Sequence, residues 1–191
     1  MAEKKKRKGR RAYLDDFYRD VSGEYHYTGA LRRYEGTEPY RQAVTRVGVL
    51  AGIMALAMVL VGLIPAPSML GIGNFYVVLP YIAELVGAAL SVWAAIRMIA
   101  GGAELRNYVY EATVEKLPNR LEMTAVFAAV CVAGNVLYLI LKGFGGRVIA
   151  SLAVILLHGA VIAAALLLKK HLSTLRWSGG REEETPELPE E

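Results

Sequence analysis

Four long apolar stretches alternate with polar segments along the chain. They cover residues 47–64, 75–96, 123–141 and 148–168. At about 1.5 Å per residue in a helix, each stretch is long enough to cross a hydrocarbon core of about 30 Å. Within lipid only helices satisfy their backbone amides inside one segment, and these runs lack the alternation of barrel strands. The pattern therefore predicts an all-α integral membrane protein, folded as an antiparallel bundle of four transmembrane helices.

The polar segments divide the rest of the chain into three parts. They are a basic and aromatic arm over residues 1–42, a middle segment over 97–122 and an acidic tail over 172–191. In the arm, the spacing of apolar residues over 13–21 predicts a short helix. Gly29, between two aromatic stretches, fits either a hairpin or an irregular loop.

The middle segment and the tail give weaker patterns. Leu105, Tyr108, Val109 and Ala112 fall on one helical face, which favours an amphipathic surface helix. The alternation in 108–115 would also fit a strand, and we prefer the helix. The Glu- and Pro-rich composition of the tail predicts disorder.

The charge distribution gives an orientation. Of the 22 Lys and Arg residues, 12 precede the first apolar stretch, four lie in the middle segment and four follow the last stretch. Only Lys142 and Arg147 belong to the opposite side. By the positive-inside rule, both termini and the middle segment are expected to be cytoplasmic. Size and charge bias suggest a bacterial cytoplasmic membrane as the location.

A dense run of cations near the start of the chain predicts contact with anionic lipid headgroups, worth about 1 kcal/mol per residue near the surface. The same run can act as a topology determinant. We expect no nucleic acid partner, because no nucleic-acid-binding motif accompanies the charge. The residues of this run are Lys4, Lys5, Lys6, Arg7, Lys8, Arg10 and Arg11.

Two ionisable residues, Glu84 and His158, interrupt the apolar stretches. A charged group at this depth costs about 2.5–3.5 kcal/mol and marks a candidate functional site. Both residues lie roughly 14–15 Å below the outer boundary of the membrane, so they could touch and relay protons or bind a cation. The alternative is a pair that fixes helix register, and the sequence leaves their contact open. Asn135 is expected to bond between helices, and Cys131 to fill space.

Motifs of enzymes and cofactor sites are missing from the sequence. It has no phosphate-binding glycine loop, no HExxH or GxSxG, and a single cysteine, so neither enzymatic activity nor a bound cofactor or metal is expected. The first hypothesis is a non-enzymatic accessory, scaffold or assembly subunit whose cytoplasmic tyrosines contact a membrane or cytoplasmic protein. The alternative is a small proton- or cation-coupled transporter or channel using Glu84 and His158. It would be a homo-oligomer, because four helices rarely enclose a pathway alone.

Overall fold

The structure is a computed structural model that describes residues 16–20, 22–71 and 73–179. Within them, four helices are long and apolar enough to cross a membrane, which is compatible with a multi-pass membrane protein. Each is longer than the apolar stretch that predicted it. The first helix, for example, begins at residue 40 and the third at residue 117. These helices are α1 (Tyr40–Leu63), α3 (Phe75–Ala100), α5 (Leu117–Lys142) and α6 (Val148–Leu172).

The four long helices pack as an antiparallel bundle. The Tyr40 hydroxyl, at the start of α1, donates to the carbonyl of Met98 near the end of α3. Lys169, near the end of α6, lies 2.6 Å from the carboxylate of Glu122 near the start of α5. At the other end, Arg147 donates to the Pro65 carbonyl, which ties together the two short connections of the bundle.

The bundle has a mainly apolar core that also holds several polar groups, and its outer faces carry large apolar groups. The buried side chains include Glu84, His158, Asn135 and Thr124. The outward faces carry exposed leucine, isoleucine and valine side chains, and Leu63 is 71% exposed. Apolar surfaces of this extent are rare on soluble monomers and indicate a membrane or a partner.

Glycine permits a close approach between α3 and α5. Pro80 lacks an amide hydrogen, so the carbonyl of Tyr76 loses its helical partner. That carbonyl packs against Gly134 of α5, where a Cβ atom would sit only 3.1 Å from it. Gly52 and Gly159 have no atoms within 4 Å of a Cβ position, so they make no such contact within the chain.

Short strands at one end of the bundle correct the all-α prediction. Strand β1 (Phe17–Arg19) pairs with β2 (Tyr25–Tyr27), and β3 (Leu31–Arg33) pairs with β4 (Glu104–Arg106), both antiparallel. The predicted helix over 13–21 is wrong for its described part, since residues 17–19 form β1. The reason is a turn at Gly23, whose φ of 92° suits glycine. The turn reverses the chain, so that Phe17 pairs with Tyr27.

The remaining elements of the structure are short helices. Helix α2 (Pro67–Leu70) lies between α1 and α3. Helix α4 (Asn107–Tyr110) and a π-helical turn (Glu111–Glu115) follow β4, so the preference for helix over 108–115 is confirmed. The prediction is wrong for Leu105, which lies in β4 because it pairs with Arg32 of β3.

The described residues of 16–39, 101–116 and 173–179 fold together, and we call them the cap. Trp177 forms a bridge with Tyr34, and its ring contacts those of Tyr34, Tyr40 and Tyr110. The predicted disorder of 172–191 is therefore wrong for 172–179, because Leu172 ends α6 and Trp177 anchors the segment that follows. The basic run of residues 4–11 and the tail beyond residue 179 lie outside the described residues.

Trp177→Ala is expected to loosen the cap without disturbing the bundle. Aromatic contacts contribute about 0.5–1.5 kcal/mol each beyond their burial. Loss of about 1.5–3 kcal/mol would speed amide hydrogen exchange in β3 and β4 roughly tenfold to a hundredfold. Hydrogen-exchange mass spectrometry measures this, and Trp93→Ala, which removes a ring that is 61% exposed on α3, is the matched control. Equal exchange in the two variants would contradict the role of Trp177.

Candidate functional site

The two ionisable residues predicted to share a level in the membrane are in contact. His158 Nδ1 on α6 lies 2.8 Å from Glu84 Oε2 on α3. Both side chains are completely buried. The contact that the sequence left open is thus present, because α3 and α6 run in the same direction and each residue lies near the middle of its helix.

The pair is close but poorly satisfied. Its atoms do not align as a good hydrogen bond, and neither Glu84 Oε1 nor His158 Nε2 has a hydrogen-bond partner among the described residues. A buried polar atom without a partner costs about 1–3 kcal/mol. The ring of Tyr81 packs edge-on against His158 at 6.2 Å, but its hydroxyl donates to the Met58 carbonyl. The site therefore contains buried oxygen and nitrogen atoms that could still make a hydrogen bond or bind a ligand.

Cys131 completes a group of three side chains. Its sulfur, from α5, lies within 4.8 Å of ligand atoms of both Glu84 and His158, and all three side chains are buried. Sequence reasoning interpreted Cys131 as an apolar filler and missed this grouping. The sequence held one signal for this grouping, the depth of Cys131 in the membrane. Cys131 precedes the end of its apolar stretch by about ten residues, or about 15 Å, which is the depth of Glu84 and His158.

Asn135 lies apart from this group and has a structural role. Its Oδ1 accepts a 2.6 Å hydrogen bond from the Ser68 hydroxyl, and its Nδ2 donates to the Cys131 carbonyl. The partner Ser68 belongs to α2, so Asn135 anchors the connection between α1 and α3 to α5. The hydrogen bond expected for Asn135 is present, although its partner belongs to a connecting segment and not to another spanning helix.

The cap has its own polar cluster, on the β1–β2 hairpin. The pKa of Asp20 is lowered to about 2 by hydrogen bonds from Ser22 and His26. Asp20, Glu24 and His26 have ligand atoms within 4.8 Å of one another. Asp20 accepts hydrogen bonds from the Ser22 hydroxyl and the Glu24 backbone amide, and it lies 3.0 Å from His26 Nε2. The cluster thus explains the geometry of the turn.

The tyrosines proposed as partner contacts mostly contact other rings. Phe17, Tyr27 and Tyr108 pack together, and the Arg106 guanidinium lies over two of these rings. Tyr25, in contrast, is 73% exposed. The aromatic residues of this segment therefore mainly build the cap, and Tyr25 is left at its surface.

Comparison with protein-family models, with curated proteins and with solved structures gives no match to this chain.

Breaking the buried pair is expected to cost more than removing it. His158→Leu leaves the Glu84 carboxyl without its contact and should lower the free energy of unfolding by about 3–5 kcal/mol. Adding Glu84→Met should restore part of that loss, because the site then contains only apolar groups. The free energy of unfolding in mixed micelles, measured for the wild type, both single variants and the double variant, gives the coupling energy between the two side chains. Strictly additive losses would show that the two side chains act independently.

Proposed function

We propose that this chain is a multi-pass membrane protein with the cap and both termini in the cytoplasm, and that it acts as a non-enzymatic accessory, scaffold or assembly subunit. The observation that carries this proposal is the cap. It is a folded surface built from three separate segments at one end of an apolar bundle, and it is where a protein partner would bind.

The construction of the cap supports an interaction role. The end of β3 and the residues directly after it bond to the segment after α6, as in the hydrogen bonds from Ser178 N to the Arg33 carbonyl and from Glu35 N to the Arg176 carbonyl. Arg32 donates to Asn107 and to the Ser178 carbonyl. This cross-linking of distant segments fixes one surface, and a preorganised surface binds without an added ordering cost.

The opposite end of the bundle offers much less surface. Its described connections are residues 64–71, 73–74 and 143–147, and they are held down by contacts such as that of Lys142 with Asn74. The cap instead presents Tyr25 and the Arg33 guanidinium, which is 68% exposed beside Glu104. Tyr and Arg are the residue types enriched at binding hot spots, so the cap is the better candidate for an interface.

A photo-crosslinking experiment in intact cells tests both the orientation and the interaction. A photoreactive phenylalanine analogue replaces Tyr25 in the cap or, as the matched control, Phe144, an exposed aromatic residue at the opposite end. We expect a discrete protein adduct only from position 25, and we expect a membrane-impermeant quencher outside the cells to leave it unchanged. Adducts from position 144 alone, or quenching of position 25 from outside, would contradict the proposal.

The second candidate function is proton or cation transport by a homo-oligomer. The specific observation in its favour is the 2.8 Å approach of Glu84 to His158, since intramembrane ionisable pairs occur in proton relays. Both side chains are completely buried, so the single chain offers them no open route. Transport would require a second copy or helix movement.

Flux measurements separate the two functions. The purified protein is reconstituted in vesicles that contain a pH-sensitive dye, and proton flux is compared for the wild type and Glu84→Gln. If transport is the function, flux should fall to the background of empty vesicles in the variant, because an amide cannot carry the proton. Asn135→Ala, which removes a buried polar group without an ionisable side chain, is the control. Absence of flux from the wild type would leave only the interaction role.

A further inference from the structure

Three metal-binding types of side chain meet at the centre of the bundle. Glu84 comes from α3, Cys131 from α5 and His158 from α6, and their ligand atoms all lie within 4.8 Å of one another. Oε1 of Glu84 and Nε2 of His158 have no hydrogen-bond partner among the described residues. The group thus combines the donor types of a metal site with buried polar atoms that protein contacts leave unsatisfied.

We propose that Glu84, Cys131 and His158 bind one divalent transition-metal ion, with zinc as the best match. This proposal does not depend on the interaction role of the cap. Zinc takes carboxylate oxygen, imidazole nitrogen and thiolate ligands at about 2.0–2.3 Å. Around a tetrahedral ion, such ligands stand roughly 3.3–3.7 Å apart. The 2.8 Å contact of His158 with Glu84 must therefore widen by about half an ångström, while the 4.8 Å limit leaves the sulfur within reach.

Charge balance selects a divalent ion. An ion held by all three side chains is surrounded by one carboxylate, one thiolate and one neutral imidazole, and binding as a thiolate releases the proton of Cys131 to solvent. A divalent cation makes this ligand set neutral. With the same three ligands, a monovalent or trivalent ion would leave a net charge in a low-dielectric interior, which is strongly unfavourable.

The site would connect three of the four spanning helices. The ion takes its ligands from α3, α5 and α6, and three protein ligands leave a fourth tetrahedral position for a small molecule such as water. Because all three side chains are buried, we expect loading during folding in the membrane and slow exchange afterwards.

Metal content of the full-length protein is the first measurement. The protein carries a non-histidine affinity tag, is produced in medium supplemented with Zn²⁺ or Co²⁺, and is purified in detergent. We expect about one ion per chain in the wild type and at least a tenfold lower content in Cys131→Ser, since loss of a ligand weakens the site severely. Cobalt-loaded wild type should also show a thiolate-to-cobalt charge-transfer band. Cys131 is the chain's single cysteine, so this band has one possible source.

His26→Ala is the matched control. It removes one ligand from the exposed cluster of Asp20, Glu24 and His26, whose atoms also lie within 4.8 Å of one another. Metal content and the charge-transfer band should be unchanged in this variant. Metal lost from His26→Ala and retained in Cys131→Ser would overturn the proposal, as would a wild-type protein without stoichiometric metal.

X-ray absorption of the zinc-loaded wild type keeps the test valid if Cys131→Ser does not fold. One sulfur neighbour at about 2.3 Å, with nitrogen or oxygen neighbours at about 2.0–2.2 Å, is expected. A zinc coordination shell without a sulfur neighbour would overturn the proposal.

Proton release provides an independent measurement. Adding Zn²⁺ to metal-free protein in weak buffer should release at least one proton per ion, that of the Cys131 thiol, because metal binding requires deprotonated ligands. The titratable groups that face the site are the three ligands and Tyr81, while α1 has titratable side chains only at its cap end, Tyr40, Arg41 and Arg46. Release of no protons would exclude thiolate binding and overturn the proposal.

Discussion

A polar side chain buried in an apolar bundle needs a polar partner, and this constraint shapes the centre of the bundle. Glu84 and His158 meet at 2.8 Å, while Asn135 bonds to Ser68. In hydrocarbon each group would otherwise leave an unpaired dipole or charge, at a cost of several kcal/mol. These contacts join α3 to α6 and join α5 to the connection between α1 and α3, while many further large apolar side chains lie on the outside.

The same helices determine the position of the cap. Helices α1 and α5 begin, and α3 and α6 end, at one end of the bundle, so the polar segments attached there are brought close together. Tyr40 belongs to both parts, since it bonds to Met98 in α3 and packs against Trp177 in the cap. The cap is thus a consequence of antiparallel packing combined with aromatic residues, and its short strands need the bundle to hold them.

The helices and the level of the buried polar groups were predictable, whereas the cap was not. Apolar length alone located four helices, and a rise of 1.5 Å per residue placed Glu84 and His158 at the same height. The pairing of β3 with β4 joins residues more than seventy positions apart, and no local pattern encodes such a contact. Trp177 was assigned to a disordered tail because composition does not show that Tyr34, Tyr40 and Tyr110 surround its ring. Cys131 was misjudged because its partners are on other helices.

The buried group and the cap are connected through shared elements. Residues 101–116 join α3 to α5, the helices that carry Glu84 and Cys131. Glu84 lies 16 residues before the end of α3, about 24 Å along the axis, and Cys131 lies 14 residues after the start of α5, about 21 Å. A rigid-body shift of α3 relative to α5 would therefore move the two ends of this cap segment relative to each other. The π-helical turn (Glu111–Glu115) directly before α5 is the type of irregular helical geometry that often marks functional sites.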